Sequence, residues 1–259
     1  TVICTDKTGT ITENNMSLAK LYVYATKKVV DLDDVSATEE KELIADGMWA
    51  SEPIPFDPME IALHQAFQQF TSTEDHSGFS MIHEYPLEGK PPMMTHIFED
   101  KNGKRIVAAK GAVEAIMNVS SLSAAEQQEV KEVVQTIAKD GYRVLGVGVS
   151  DFSGTDFPAS QEDLAFTFKG VVAFYDPPKK NIEQVLQSFY DAGISVKIIT
   201  GDNAETTAAI ATQIQFQGHE KTINGDELMK LNEKELGDCV METAIFTRMF
   251  PEAKLKIIE

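Results

Sequence analysis

Thr1-Val-Ile-Cys-Thr-Asp6-Lys7-Thr8-Gly9-Thr10 opens the chain, and the reading of this stretch decides the fold. A short β-prone run, Val2, Ile3, Cys4 and Thr5, delivers the Asp6 carboxylate to its carboxyl end. A cation, two hydroxyls and a glycine follow at once. In open α/β sheets ligands bind at strand ends, where loop backbone and helix N-termini point out of the sheet. An aspartate placed there can act as a nucleophile, splitting one hard phosphoryl transfer into two easier steps through an aspartyl-phosphate. Lys7 and the hydroxyls of Thr8 and Thr10 then offset negative charge on the phosphoryl oxygens. The same spacing also fits a plain turn, with Asp6 capping the bend before Gly9.

The last third of the chain continues an α/β alternation. Ile182, Val185, Leu186, Phe189 and Tyr190 fall on one helical stripe that Gly193 ends. Residues 195–200 form a continuous apolar strand suited to a parallel sheet, and Thr200-Gly201-Asp202 ends it. There the Thr200 hydroxyl and Gly201 amide suit a phosphoryl oxygen. Asp202 and Glu205 also fit a capping box for a helix over residues 204–213. Short helices are expected over 226–231 and 232–240, a strand over 243–247, and a helix carrying Lys254 from Pro251 to Glu259.

Between these two pieces the pattern changes to that of a different unit. Leu18, Leu21, Val23, Val29 and Val30 read as strands, followed by a helix over residues 38–49. Asp57-Pro58-Met59-Glu60 reads as a helix start, with Asp57 as N-cap, Pro58 first inside and Glu60 closing a capping box. Strands over 79–86 and 94–98 flank a loop at 88–92, and residues 105–109 make a β-type run ending in Lys110-Gly111. Ser123 and Glu126 form another capping box, opening a helix with its stripe at Val130, Val133, Val134 and Ile137, and Gly141 is its expected terminator. Residues 142–149 and 170–175 are strands. Asp176-Pro177-Pro178-Lys179 then reads as a stiff return crossing, because two prolines fix φ. Gly146 and Gly148 lack the third glycine and the helix of a dinucleotide fingerprint, and no P-loop is present.

Asp6-Lys7-Thr8-Gly9-Thr10 resembles the phosphorylation motif of the P-type ATPases, ion pumps that phosphorylate themselves from ATP and belong to the haloacid dehalogenase superfamily. Many phosphatases of that superfamily carry a second aspartate two residues after the nucleophile; here Thr8 stands in that place. Without a proton-transferring group there, hydrolysis of the acyl phosphate is expected to be slow, as a pump needs. Further stretches resemble the family in order. Residues 57–63 resemble DPxExAL, in which Glu60 would contact the adenine amino group. Residues 110–114 resemble KGAPE, with Val113 for Pro, and imply that Lys110 and Gly111 approach the nucleotide. Arg143 is similar to an arginine that reaches the ATP phosphates. Residues 176–179 resemble DPPR, with Lys179 for Arg, which keeps the charge and loses the bidentate fork. Thr200-Gly201-Asp202 resembles TGD, and residues 248–254 resemble FARVxPxxK, with Lys254 reaching the phosphoryl group. The chain departs from the family at Leu87, where a phenylalanine stacks on adenine, and at Pro92, where a lysine is usual. Leu87 and Met94 then offer an apolar wall without stacking.

Composition bounds the function. A chain of 259 residues with 42% hydrophobic and 25% charged residues reads as globular, with one or two domains. No apolar run approaches the ~20 residues that span a bilayer, and no signal peptide is visible. The formal charge of −18 argues against nucleic acid or an anionic membrane surface as partner. Cys4 and Cys239 show no metal-type pairing, and the histidines show no HExxH-like spacing.

The expected fold is therefore α/β: a haloacid-dehalogenase-like, truncated parallel sheet from residues 1–14 and 177–259, with an α+β antiparallel-sheet nucleotide-binding domain at 15–176 inserted behind the nucleophile. The resemblance implies that Asp6 forms the aspartyl-phosphate from ATP while Lys7, Thr8, Thr200, Gly201, Asp202 and Lys254 surround it. It implies that Glu60, Leu87, Met94, Lys110, Gly111, Arg143, Asp176 and Lys179 serve the nucleotide, and that Asp6 and Thr8 hold Mg2+. The family's GDGxND segment does not occur in these residues, so poor self-phosphorylation is expected of this stretch alone. The implied setting is the cytoplasmic face of a membrane. The implied partners are the transmembrane and actuator domains of a parent cation pump, closest to calcium-type pumps, with the stretch itself monomeric. Two rivals are a stand-alone phosphatase or phosphotransferase of the same superfamily, and a nucleotide-binding module without chemistry.

Overall fold

The computed structural model describes residues 1–71, 78–154 and 156–258. In chain order, β1 (Val2–Thr5) is followed by β2 (Ser17–Val23), β3 (Lys28–Asp31), α1 (Thr38–Trp49) and α2 (Pro58–Phe70). Next come β4 (Phe79–Glu88), β5 (Met93–Asp100), β6 (Arg105–Gly111), α3 (Val113–Asn118), α4 (Ala124–Lys139), β7 (Arg143–Ser150) and β8 (Thr167–Tyr175). The last stretch holds α5 (Ile182–Asp191), β9 (Ser195–Ile199), α6 (Ala204–Gln213), β10 (Thr222–Asn224), α7 (Gly225–Leu228), α8 (Glu233–Glu242), β11 (Ile245–Thr247) and α9 (Pro251–Ile258). Glu259, expected to end α9, lies outside the described residues.

Two compact units result: Thr1–Asn15, Gln135–Tyr142 and Asp176–Glu259 make the first, Met16–Val134 and Arg143–Tyr175 the second. Residues 135–142, within the stretch expected as the inserted domain, group with the first unit.

The first unit is built on a four-stranded sheet ordered β1-β9-β11-β10, with every pairing parallel. β9 is buried from Val196 onward, as a strand flanked by two others requires. Ile199, Leu228, Phe246, Met249 and Ala253 pack as one buried cluster beside it. Because parallel strands share direction, β1, β9 and β11 deliver the residues that follow them to the same end of the sheet. Those residues are Asp6, Thr200 to Asp202, and Arg248 with the start of α9.

The second unit is a seven-stranded antiparallel sheet ordered β3-β2-β8-β7-β6-β5-β4. α1 and α2 cover it through Leu43, Ile44, Trp49, Leu63 and Phe67, packed against Leu21, Phe98 and Phe174. Each such fully buried side chain is worth about 1.5–3 kcal/mol relative to exposure. Trp49 meets Phe98 edge-on at 4.7 Å between ring centroids, the geometry that ring quadrupoles favour.

Helix starts separate local from long-range chemistry. The Ser123–Glu126 box forms as expected: Ser123 N donates to Glu126 Oε2 at 2.8 Å, and Glu126 N donates back to Ser123 Oγ at 3.3 Å. The other two boxes do not close. Asp57 caps α2 by accepting from Met59 N at 2.8 Å, but Glu60 turns to more distant partners. α6 is capped by Asn203, whose Oδ1 accepts from Thr206 N at 2.8 Å, and not by Asp202. In both cases a buried cation elsewhere in the chain claims the carboxylate, and pairing it outweighs a cap worth ~1 kcal/mol.

Candidate functional site

The first set of residues lies at the carboxyl end of the parallel sheet. Asp6 leaves β1 in an extended conformation, with φ −79° and ψ 156°, and its Oδ1 accepts from Lys7 N at 2.7 Å. The chain then turns sharply over Lys7–Ile11, where Gly9 takes φ +78°, a left-handed conformation that a β-carbon would strain. Lys254, from the first turn of α9, donates its Nζ to Asp6 Oδ2 at 3.0 Å. Both side chains stay half-exposed, at 37% and 46%.

Asp202 gathers the rest. Its Oδ2 lies 2.5 Å from Lys7 Nζ and accepts from Thr8 Oγ1 at 3.4 Å, and its backbone N donates to Thr200 Oγ1 at 3.2 Å. Backbone bonds fix the surroundings: Arg248 N donates to Asp202 O at 2.8 Å and Met249 N to Thr200 O at 2.9 Å. Lys7 is only 3% exposed, so its ammonium needs a matched carboxylate and finds it in Asp202. Gly201 is exposed, and a β-carbon there would meet nothing closer than Met249 O at 3.9 Å. Packing therefore does not demand that glycine. All seven residues proposed for phosphoryl chemistry thus converge, with one difference in role: the Lys7 charge points at Asp202 and not at Asp6.

Asp176 and Lys179, expected at the nucleotide, sit instead where the two chain crossings lie side by side within the first unit. Asp176, 5% exposed, accepts from Thr12 Oγ1 at 2.5 Å and from Asn15 N at 3.1 Å. Lys179 Nζ donates to Gly9 O at 2.9 Å, and its N donates to Ile11 O at 2.9 Å. These bonds staple the segment after Asp6 to the segment that follows β8.

The second set belongs to the antiparallel unit. Glu60 Oε1 accepts from Lys110 Nζ at 2.6 Å and from Glu52 N at 3.4 Å, and Lys110 also donates to Ala50 O at 2.5 Å. Lys110 does not stand at an open mouth: it is 4% exposed, as is Glu60. Burial pushes the Lys110 ammonium's pKa down, and the bond to Glu60 opposes that. Glu60 Oε2 is buried with no hydrogen-bond partner among the described residues, which costs free energy unless a donor arrives. Met94 pairs with Lys110 across β5 and β6 and is half-buried. Gly111 is required there, because a β-carbon would fall 2.5 Å from both Met93 Cα and Pro92 O. Leu87 on β4 is 62% exposed, and Arg143 is half-buried at the start of β7.

Sequence reading missed a neighbouring group. Glu52, Glu84 and His96 bring one ligand atom each within 4.8 Å of one another. Nothing in their spacing announces this, since Glu84 and His96 meet only through the register of β4 on β5.

At the carboxyl end of the parallel sheet an aspartate meets a lysine from a later helix, in a chain that also carries an inserted antiparallel unit. Residues 54–181 match the family model described as P-type ATPase, cytoplasmic domain N. The chain is similar to the calcium-transporting ATPase of Bacillus subtilis strain 168, at 28% identity over all of this chain and 34% of that protein. It is also similar to calcium-transporting ATPase 1 of Saccharomyces cerevisiae, at 26% identity over 99% of this chain and 32% of that protein. A third relative is the probable cation-transporting ATPase F of Mycobacterium tuberculosis H37Rv, at 26% identity over 100% of this chain and 33% of that protein. The family match and these relatives together support a P-type ATPase piece, and the chain spans about a third of the length of the relatives. No described helix is long and apolar enough to cross a membrane.

Proposed function

We propose that this chain is the ATP-binding and phosphorylation part of a cation pump, and that Asp6 is the phosphoryl acceptor. The observation that carries the reading is the convergence of Asp6, Lys254, Thr8, Thr200 and Asp202 at one end of the parallel sheet. A haloacid-dehalogenase-like role for that unit follows from the same placement. An Asp6 carboxylate oxygen attacks the γ-phosphorus of ATP in line; a P–O bond forms to Asp6 as the bond to ADP breaks, and the departing electron pair stays on the ADP oxygen. Lys254 already touches the reacting carboxylate and offsets charge on the phosphoryl oxygens. Thr8 and the Thr200 hydroxyl supply further donors. Lys7 acts at one remove, by holding Asp202 in place.

Mg2+ takes hard oxygen ligands with several waters, and the half-exposed Asp6 carboxylate fits such a donor set, with Thr8 beside it. When bound, the ion neutralises phosphate charge. The second unit supplies recognition of the base. The buried Glu60 Oε2, unpartnered among the described residues, suits an amino-group donor, and Lys110 fixes the other oxygen of that carboxylate. Leu87 and Met94 offer apolar contact, and Arg143 a cation for the phosphates. In the whole pump, membrane-spanning and actuator domains would convert the acyl-phosphate energy into cation movement, with this chain on the cytoplasmic side. Thr8 offers no carboxylate for general-base hydrolysis, which disfavours a phosphatase.

Labelling the whole pump with γ-phosphate-labelled ATP tests this. Label that is present in the wild type and absent in Asp6→Asn supports it. Label retained in Asp6→Asn contradicts it.

A further inference from the structure

His96 carries two ring nitrogens, both buried and both without a hydrogen-bond partner among the described residues, on a side chain 1% exposed. That is an expensive state for an imidazole unless something else completes it. Its Nε2 faces Glu52 Oε1 at 3.6 Å, long for a hydrogen bond. Directly across the β4–β5 ladder, Glu84 is the register partner of His96, and its carboxylate completes the group whose ligand atoms lie within 4.8 Å of one another. Three elements converge here: the α1–α2 connection, β4 and β5. We infer that Glu52, Glu84 and His96 form a site for a first-row transition-metal dication, distinct from the Mg2+ proposed at Asp6.

The chemistry selects that class of ion. Imidazole is a ligand for Zn2+, Co2+ and Ni2+, whereas Mg2+ and Ca2+ take oxygen donors almost alone. Bond lengths of ~2.1 Å place tetrahedral ligand atoms about 3.4 Å apart, so the 3.6 Å between Glu52 and His96 already suits a shared ion. Glu84 is exposed and on an edge strand, free to swing inward. Lys110 would repel an incoming cation, but Glu60 matches its charge at 2.6 Å. Three protein ligands leave one position for water, the arrangement of an open site. Binding would tie the α1–α2 connection to the sheet beside Glu60.

The test is a Co2+ titration of the 259-residue chain after chelator treatment, followed by calorimetry and by the visible absorption of tetrahedral Co2+. The expected result is one strong site per chain. Its dissociation constant should rise at least tenfold in Glu84→Gln and the site should vanish in His96→Gln, while Asp140→Asn, a matched loss of charge elsewhere, changes nothing. Glu84 is solvent-exposed, so its variant leaves the core intact and remains informative even where His96→Gln disturbs folding. No binding by either measurement, or an affinity unchanged in Glu84→Gln, overturns the inference.

Discussion

Lys254 Nζ lies 3.0 Å from Asp6 Oδ2, a contact between side chains 248 positions apart that only the parallel alignment of β1 and β11 makes possible. If Asp6 is the acceptor, that ammonium stabilises charge on the phosphoryl group as it transfers. Replacing Lys254 with Met should slow phosphoenzyme formation in the whole pump by about 10²-fold or more, the usual consequence of removing one preorganised donor. Nucleotide affinity should change little. Rapid-quench labelling measures the first, and equilibrium nucleotide binding the second.

Lys7 and Asp202 are a different kind of pair. They are 3% and 11% exposed and 2.5 Å apart, so removing one strands the other as a buried charge. Asp202→Ala should therefore destabilise the first unit by roughly 3 kcal/mol, read as a fall in its urea midpoint. The double change Lys7→Met with Asp202→Leu should recover much of that loss. A single variant as stable as wild type would show that the pair carries no structural role.

These two aspartates also show how far sequence could go. Asp6, Thr200, Asp202 and Lys254 were legible because each follows a short apolar strand or opens a helix, and a parallel sheet collects such points at one end. The local roles of Asp202 and Glu60 were misjudged for a shared reason. Their spacing fits a capping box, but a box is a local bond, and each carboxylate is claimed by a lysine distant in sequence, Lys7 and Lys110. Among the described residues no buried cation pairs with Glu126, and there the local pattern holds. Asp176 and Lys179 carry charges suited to a nucleotide, yet their partners are Thr12, Asn15, Gly9 and Ile11 in the segment between β1 and β2. Such pairings depend on which segments lie side by side, which periodicity does not encode. The grouping of Glu52 with Glu84 and His96 depends on strand register, and register in β4–β5 shifts at two irregular points.

Gly111 and Gly201 make a paired test of structural against chemical glycines. Gly111→Ala puts a β-carbon 2.5 Å from the β5 backbone and should cost about 1–3 kcal/mol in the stability of the second unit. Gly201→Ala meets no neighbour within 3.9 Å and should leave the unfolding midpoint within about 0.5 kcal/mol of wild type. Its effect should appear in phosphoenzyme formation instead.

Asp46 predicts a pH dependence. Burial, aided by Glu42 and opposed by Lys169, raises its carboxyl from 3.8 to about 6. A raised acid binds its proton more tightly when folded, so its stabilising effect is present at low pH and is lost as pH rises from about 4 through about 6. At pH 7 the ionised group then costs about 1–3 kcal/mol. Asp46→Asn should raise the stability of the second unit at pH 7 by that order. It should also flatten the rise in stability that the wild type shows between pH 7 and pH 5.

Borohydride reduction of the phosphoenzyme tests whether Asp6 receives the phosphoryl group. The whole pump is incubated with ATP, quenched in acid, reduced and digested, and the peptide containing residues 1–10 is sequenced by mass spectrometry. Reduction of an acyl phosphate at Asp6 leaves homoserine at that position, and this is the predicted result. Homoserine at a different carboxylate, or an unmodified Asp6 in an enzyme that turns over ATP, would contradict it.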